Sequence, residues 1–216
     1  TIAGLRADVE AARRSGRRIA MVPTMGALHE GHLSLVRAAQ AKADLVIVSI
    51  FVNPTQFAPN EDLDSYPSDI EGDLAKLEQA GTNAVFLPSS TDIYDGGPSV
   101  SVSIPELSIQ LCGASRPTHF SGVCQVVLKL FGLVQCDVAV FGQKDFQQLA
   151  VIKKMVRDLS MPVTIHSCKT IRDKNGLALS SRNSYLNSDD KINASIIYKS
   201  LLEAKELIIQ DKKIEP

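Results

Sequence analysis

Two histidines three residues apart, in His29-Glu30-Gly31-His32, sit where an apolar stretch from Ile19 to Leu28 runs into Leu33-Ser34-Leu35-Val36-Arg37-Ala38-Ala39. Pro23 and Gly26 turn the first stretch into a strand followed by a loop, and the second has the pattern of a helix, so the pair lies at a helix start. The N-terminus of a helix leaves backbone N–H groups unpaired and carries a partial positive charge, which makes it a ready site for phosphate. Two imidazoles there can donate hydrogen bonds to phosphate oxygens as negative charge moves during reaction. Gly26 and Gly31 allow the backbone to come close. Two other readings compete. Either histidine alone could be a solvated or packed residue. His-Glu-x-His also looks close to a zinc helix, but that chemistry needs histidines at i and i+4 so that both rings face one side. Here the spacing is one short and no compact third ligand follows, which argues against zinc.

Other segments offer partners for such a site. In Phe141-Gly142-Gln143-Lys144-Asp145-Phe146-Gln147-Gln148, Gly142 ends an apolar strand and Lys144 starts a helix. A lysine there could meet phosphate as a point charge, and Asp145 could cap the helix or hold a ribose or a metal. Ser180-Ser181-Arg182-Asn183 places two hydroxyls, a guanidinium and an amide in a row, a set that suits triphosphate oxygens. Alone it would read as an ordinary polar turn. Gln56, in Asn53-Pro54-Thr55-Gln56-Phe57, and Gln148 could offer neutral hydrogen bonds to a small hydroxy acid. Asp62, Asp64, Asp69 and Asp73 could reach Mg2+, with Asp73 the candidate ligand; helix N-terminal charge explains Asp69 equally well. Arg116-Pro117-Thr118-His119-Phe120 adds a cation and an imidazole on a loop, for binding or for structure.

The elements that must position these residues alternate. Strands are expected at 18–22, 44–52, 83–87, 99–104, 137–141 and 162–167, and helices at 32–43, 69–80, 121–135 and 144–159. The run Asp44–Val52 is continuously apolar, the mark of a strand buried on both faces. Ser68-Asp69-Ile70-Glu71 matches a helix-capping pattern. Strand and helix in this alternation predict an α/β fold, a Rossmann-like doubly wound parallel sheet whose ligands bind beyond the carboxyl ends of the strands. The two loops richest in chemistry, 23–32 and 142–148, both follow expected strands. Near residue 169 the pattern changes. Lys174-Asn175-Gly176 is a hairpin signal, Ser188 is expected to cap a helix to about Gln210, and the chain runs into a charged tail, Asp211-Lys212-Lys213. This predicts a catalytic domain over 1–169 and a small, apparently incomplete C-terminal α+β domain over 170–216.

Composition excludes several classes. The 216 residues are 44% hydrophobic and 22% charged with a net charge of −1, so charge gives no case for nucleic acid or an anionic membrane as partner. No apolar run approaches a membrane span, and Arg13, Arg14, Arg17 and Arg18 precede a run too short for a signal peptide. The four cysteines, Cys112, Cys124, Cys136 and Cys168, form no CxxC pair and read as thiols in a reducing cytoplasm.

Taken together, PTMGALHEGHLSLVRAA, FVNPTQF, RPTHF, FGQKDFQQL and GLALSSRN, in this order, resemble the pantothenate synthetase (pantoate–β-alanine ligase) family over nearly the whole chain. The HxGH signal by itself is shared by a wide superfamily of nucleotidylyltransferases; its combination with FGQKDFQQL and SSRN is far more specific. The resemblance implies ATP-dependent condensation of pantoate with β-alanine through a pantoyl adenylate, releasing pyrophosphate and then AMP. It implies that Met25, Gly26, Ala27, Leu28, His29, Glu30, Gly31 and His32 contact ATP, with both histidines on the phosphates and His32 as the active-site acid. Gly142, Gln143, Lys144 and Asp145 would bind ATP, with Lys144 on the phosphates and Asp145 near the ribose. Ile171 would touch the adenine side, and Leu179, Ser180, Ser181 and Arg182 would close over the triphosphate. Gln56 and Gln148 would hold pantoate. Mg2+ with ATP and a cytoplasmic homodimer are implied as well. The family usually has Gly where Thr118 stands and Leu-Glu-Gly where Leu111-Cys112-Gly113 stands, and its members continue past residue 216. The alternatives are another HxGH nucleotidylyltransferase and a nucleotide-binding module without turnover.

Overall fold

Five short segments rich in Val, Ile, Ala and Phe form the strands: β1 (Ile19–Thr24), β2 (Leu45–Ile50), β3 (Ala84–Phe86), β4 (Val138–Gly142) and β5 (Thr164–Cys168). The computed structural model describes residues 1–97 and 100–211. The strands form one sheet in the order β3-β2-β1-β4-β5, and every pairing is parallel. The longer helices are α1 (Ile2–Arg14), α2 (Glu30–Gln40) and α3 (Ile70–Gln79). Three single-turn helices follow, α4 (Ser90–Ile93), α5 (Pro105–Ser108) and α6 (Cys112–Ser115). Then come α7 (His119–Val134), α8 (Phe146–Asp158), α9 (Ser188–Ala194) and α10 (Ile196–Asp211).

The strands are buried on both faces because helices cover both. Successive β1 residues point to opposite sides. Ile19 and Met21 join the core built with Leu5 and Val9 of α1, Leu130 of α7 and Ile152 of α8. Ala20 and Val22 join the core built with Val36 and Ala39 of α2 and Leu77 of α3. This is the doubly wound arrangement expected from the alternation of strands and helices.

The order reverses at β1. The chain builds outward from β1 through β2 to β3, then returns to place β4 on the other side of β1. Crevices open at such a switch point, beyond the carboxyl ends of the strands. The register shows how. β1 pairs with β2 along its whole length, from Ile19 opposite Leu45 to Thr24 opposite Ile50. It pairs with β4 only at Ala20–Val138 and Met21–Ala139. Beyond Met21 and Ala139 the two strands run on unpaired with each other, to Thr24 and Gly142.

One helix goes beyond the expectations and two expectations need correction. Helix α1 is absent from the sequence reading, although Thr1 caps it by accepting the Gly4 N–H at 3.2 Å and Leu5, Val9 and Ala12 form its buried stripe. The expected strand 99–104 does not form: residues 100–104 pair with no strand, and Val102 and Ile104 pack against the core as irregular chain. Ser99 lies outside the described residues, as does the charged tail from Lys212. The single helix expected from Ser188 is two, capped by Asn187 and interrupted at the buried Ser195. The Asn-Gly turn is present, with Gly176 at φ +93° and a single antiparallel bridge, Arg172 to Ala178. Tyr198 of α10 seals it, its ring 3.8 Å from the Arg172 guanidinium.

Candidate active site

A cleft of about 400 Å³ occupies the switch point. Its floor is the end of β1 and the start of α2, its far side the end of β4 and the start of α8, and residues from Ile171 and from Leu179 to Arg182 cover it. Fourteen of the residues expected to bind line it: Met25, His29, Gly31, His32, Gln56, Gly142, Lys144, Asp145, Gln148, Ile171, Leu179, Ser180, Ser181 and Arg182. Segments distant in sequence are thus brought to one place.

The loop after β1 is shaped by backbone conformations that side chains resist. Gly26 has φ +88°, and a Cβ there would lie 3.0 Å from Ile50 Cγ2. Ala27 follows at φ +48°. Beneath them Asp73 of α3, fully buried, accepts the Leu28 N–H at 2.7 Å. From above, the Ser181 hydroxyl donates to the Ala27 carbonyl at 3.0 Å. Gly26, Ala27 and Leu28 thus set the loop's course. Glu30 points away from it and pairs with Arg37, and Gln143 is exposed outside it.

The two histidines cap α2 reciprocally. His29 Nδ1 accepts the Gly31 N–H at 3.1 Å, and His32 Nδ1 accepts the His29 N–H at 3.3 Å. An imidazole nitrogen that accepts carries no proton, so each neutral ring holds its hydrogen on Nε2. The rings lie 4.1 Å apart, centroid to centroid. Gly31 is required by the cap itself, since a Cβ there would lie 2.8 Å from His29 Cε1. Burial, with His29 and Lys144 nearby, lowers the His32 pKa to about 3. His29 is lowered by burial and by Lys144 and Lys76. Both rings are neutral at pH 7, so His32 in the free protein is a hydrogen-bond donor and not a store of protons.

Opposite them, Lys144 Nζ lies 2.7 Å from Asp145 Oδ1. Arg182 reaches the cleft from a short 3-10 turn, Ser181–Tyr185. Lys144 and Arg182 bring positive charge into the cleft that the imidazole pair also lines.

The amide residues divide by role. Gln56 is buried; its Oε1 accepts from Asn53 Nδ2 at 3.1 Å, while its Nε2 has, among the described residues, only Met25 Sδ at 3.1 Å, a weak acceptor. That amide can still donate into the cleft. Gln148 also lines it. The neighbouring Gln147 is committed to structure, donating to the Leu107 and Gln110 carbonyls and accepting the Cys112 N–H. His119 Nδ1 and Arg116 both reach the Gln56 carbonyl, at 2.8 and 3.3 Å, so that loop fixes the Gln56 backbone.

Sequence reasoning missed two parts of the site. Asn53 is buried and uses its whole amide: Tyr94 and Thr55 donate to Oδ1, and Nδ2 donates to Gln56 and to the Gly122 carbonyl. Its signal was a polar residue directly after a buried strand. The other part is an apolar wall of Phe51, Phe120, Val123, Val126, Val127, Leu130 and Phe141. Helix α7 approaches the Asn53–Gln56 turn closely because Gly122 has no side chain; a Cβ there would lie 2.3 Å from the Thr55 carbonyl oxygen.

Asp73, the expected metal ligand, lies fully buried beneath the loop. Oδ1 is taken by Leu28 N–H with Lys76 Nζ at 3.5 Å, and Oδ2 is buried without a hydrogen-bond partner among the described residues. Among the described residues no group of three or more His, Cys, Asp or Glu is arranged to hold a metal ion. No helix among them is long and apolar enough to cross a membrane.

This geometry has relatives. The family model for pantoate-beta-alanine ligase matches residues 1–215. The pantothenate synthetase of Pseudomonas putida (strain W619) is 51% identical over 215 residues, covering 99% of this chain and 75% of that protein. That of Stutzerimonas stutzeri is 54% identical over 209 residues, covering 96% and 73%. The crystal structure of the Thermus thermophilus enzyme superposes with a TM-score of 0.93 at 44% identity, over 98% of this chain and 75% of that one. A pantoate-beta-alanine ligase from Francisella tularensis, complexed with beta-gamma ATP and beta-alanine, superposes with a TM-score of 0.83 at 42% identity, over 90% and 76%. The family model spans nearly the whole chain and the relatives exceed 50% identity, so this chain belongs to the pantoate–β-alanine ligase family.

Proposed function

We propose that the cleft at the switch point is where ATP, pantoate and β-alanine meet. The protein is an ATP-dependent, AMP-forming ligase of pantoate and β-alanine. The pantoate carboxylate attacks the α-phosphorus of ATP and pyrophosphate leaves. The β-alanine amine then attacks the acyl carbon of pantoyl adenylate, and AMP leaves with the carboxylate oxygen. The single observation that carries the siting is the reciprocal histidine cap. It turns both Nδ1 atoms to the backbone and leaves both Nε2–H groups to donate to phosphate oxygens, with Lys144 across the crevice.

The roles follow from chemistry. Phosphoryl transfer asks the protein for positioning and charge neutralisation more than for covalent help. His29 and His32 donate neutral hydrogen bonds, while Lys144 and Arg182 supply charge. Gly142 and Asp145, next to Lys144 in the chain, serve the ribose, and Ile171 with Leu179, Ser180 and Ser181, which line the same cleft, serves to cover the nucleotide. Gln56 and Gln148 serve the hydroxyls and carboxylate of pantoate. The apolar wall on α7 suits its geminal methyl groups. Residues 1–169 act as the catalytic unit and residues 170–216 as a lid over it.

Mg2+ is proposed only as the companion of the ATP phosphates, a setting in which the ion keeps most of its waters. The candidate ligand Asp73 is buried beneath the loop, where Oδ1 accepts the Leu28 N–H and Oδ2 has no hydrogen-bond partner among the described residues. A cytoplasmic homodimer is proposed on the resemblance. The test of the reaction is AMP formation from ATP with pantoate and β-alanine each omitted in turn. AMP must require both, and AMP formed without either one overturns the reading.

A further inference from the structure

The loop between β2 and α3 carries two neighbouring carboxylates, each gripped by an arginine of the cleft. Glu61 forms a two-point ion pair with Arg116. Asp62 forms one with Arg182, Nε to Oδ2 at 2.7 Å and Nη2 to Oδ1 at 2.9 Å. The Tyr185 hydroxyl lies 3.0 Å from Asp62 Oδ2 and 3.1 Å from the Ser65 carbonyl, closing the clasp from outside. The Arg182 guanidinium also lies 5.0 Å from the centroid of the Tyr66 ring.

A guanidinium has five N–H groups in a fixed plane. The clasp uses the Nε–H and one hydrogen of Nη2, so both Nη1 hydrogens and the second on Nη2 stay available. Arg182 lines the cleft, and Asp62 does not. We propose that Asp62 is a positioning residue for the nucleotide: it holds Arg182 by its Nε–Nη2 edge and presents the Nη1 edge to the ATP phosphates. This rests on the reading of Arg182 as a phosphate ligand. Without the clasp, a long side chain with free rotamers must be ordered when ATP binds. With it, that ordering is complete beforehand. Arg182 and Tyr185 keep the Asp62 carboxyl down at about 2, so the clasp is present throughout the neutral range.

The experiment is steady-state, pantoate-dependent pyrophosphate release by the full protein carrying Asp62→Ala or Asp62→Asn, each alone and combined with Arg182→Ala. Freeing one rotamer-rich side chain raises KM for ATP about 2- to 10-fold, with kcat little changed. Asp62→Asn keeps an acceptor of the same shape and raises KM less, which also guards against a folding defect in the alanine variant. Once Arg182 is alanine, the change at position 62 adds nothing. A fall in KM for ATP overturns the proposal, because the clasp would then compete with phosphate. An equal effect of Asp62→Ala in both backgrounds overturns it too, since that reports the loop alone. If Arg182→Ala impairs ATP use and Asp62→Ala does not, positioning fails while the phosphate reading stands. If Arg182→Ala leaves ATP use intact, the phosphate reading itself fails and the proposal falls with it.

Discussion

Gly31→Ala separates stability from catalysis in the histidine turn. Gly31 is not among the residues with positive φ, so its backbone accepts alanine. What the added methyl meets is the His29 ring, 2.8 Å away at Cε1 and 2.9 Å at Nδ1. The ring must swing away and lose the Gly31 N–H it accepts at 3.1 Å. Losing such a cap costs about 0.5–2 kcal/mol. Alanine in place of a helical glycine returns up to about 1 kcal/mol. The two nearly cancel, and at roughly 2–4 °C per kcal/mol for a chain of this size Tm moves by a few degrees only. Turnover does not share the compensation. His29 no longer aims Nε2–H into the cleft, and one misplaced donor in a preorganised site costs about 10²–10³ in rate. Thermal unfolding and pantoate-dependent pyrophosphate release, measured on the same preparation, give both numbers. Wild-type turnover in a variant of normal Tm refutes the aiming role of the cap.

Three further outcomes follow from the same contacts. His32→Ala removes the partner donor and lowers pyrophosphate release by about 10²–10³ while the circular dichroism spectrum keeps its α/β form. His32 also sets a pH dependence: its pKa is about 3 against an ordinary 6.5, so below pH 6.5 the unfolded chain takes up a proton that the folded protein refuses until about pH 3. Its contribution is therefore complete above pH 6.5 and is lost as pH falls toward 3. In His32→Gln that slope disappears, and the gap in unfolding free energy between the two proteins narrows in acid; parallel curves argue against it. Gly122→Ala drives a methyl to 2.3 Å from the Thr55 carbonyl oxygen, so α7 must lift off the turn that carries Gln56. Overpacking of this kind costs about 1–3 kcal/mol, and urea titration together with a raised KM for pantoate checks it.

What the sequence disclosed was local, and what it hid was non-local. β2 is legible because a continuous apolar run such as Leu45–Ile50 fits a strand covered on both faces. Helix α1 escaped because its buried stripe, Leu5, Val9 and Ala12, is thin among arginines, and most of its surface is solvated. The alternation at 99–104 mimics a strand, yet an alternating run becomes one only with a partner, and residues 100–104 have none. In the site, His29, His32 and Lys144 stand at strand ends, where topology gives their position meaning. Val123, Val126 and Val127 could not be told from core, because a helix facing a cleft has the same composition as one facing a sheet. The setting of Asp73 was hidden for a related reason. A carboxylate near a helix start looks solvated in sequence, whereas here it braces a loop from an element 45 residues away.

The brevity of the β1–β4 seam also governs the order in which the protein acquires its cleft. β1, β2 and β3 are joined by neighbouring stretches of chain, while the seam closes only when Asp137 donates its N–H to the Ile19 carbonyl, 118 positions distant. Contacts that far apart form late, because a long loop must be closed before they return any stability. A half-folded chain can therefore hold the histidine turn without anything facing it. Nucleotide affinity should arise with the final docking event, so ATP acts as a ligand of the finished fold and draws the last step toward completion.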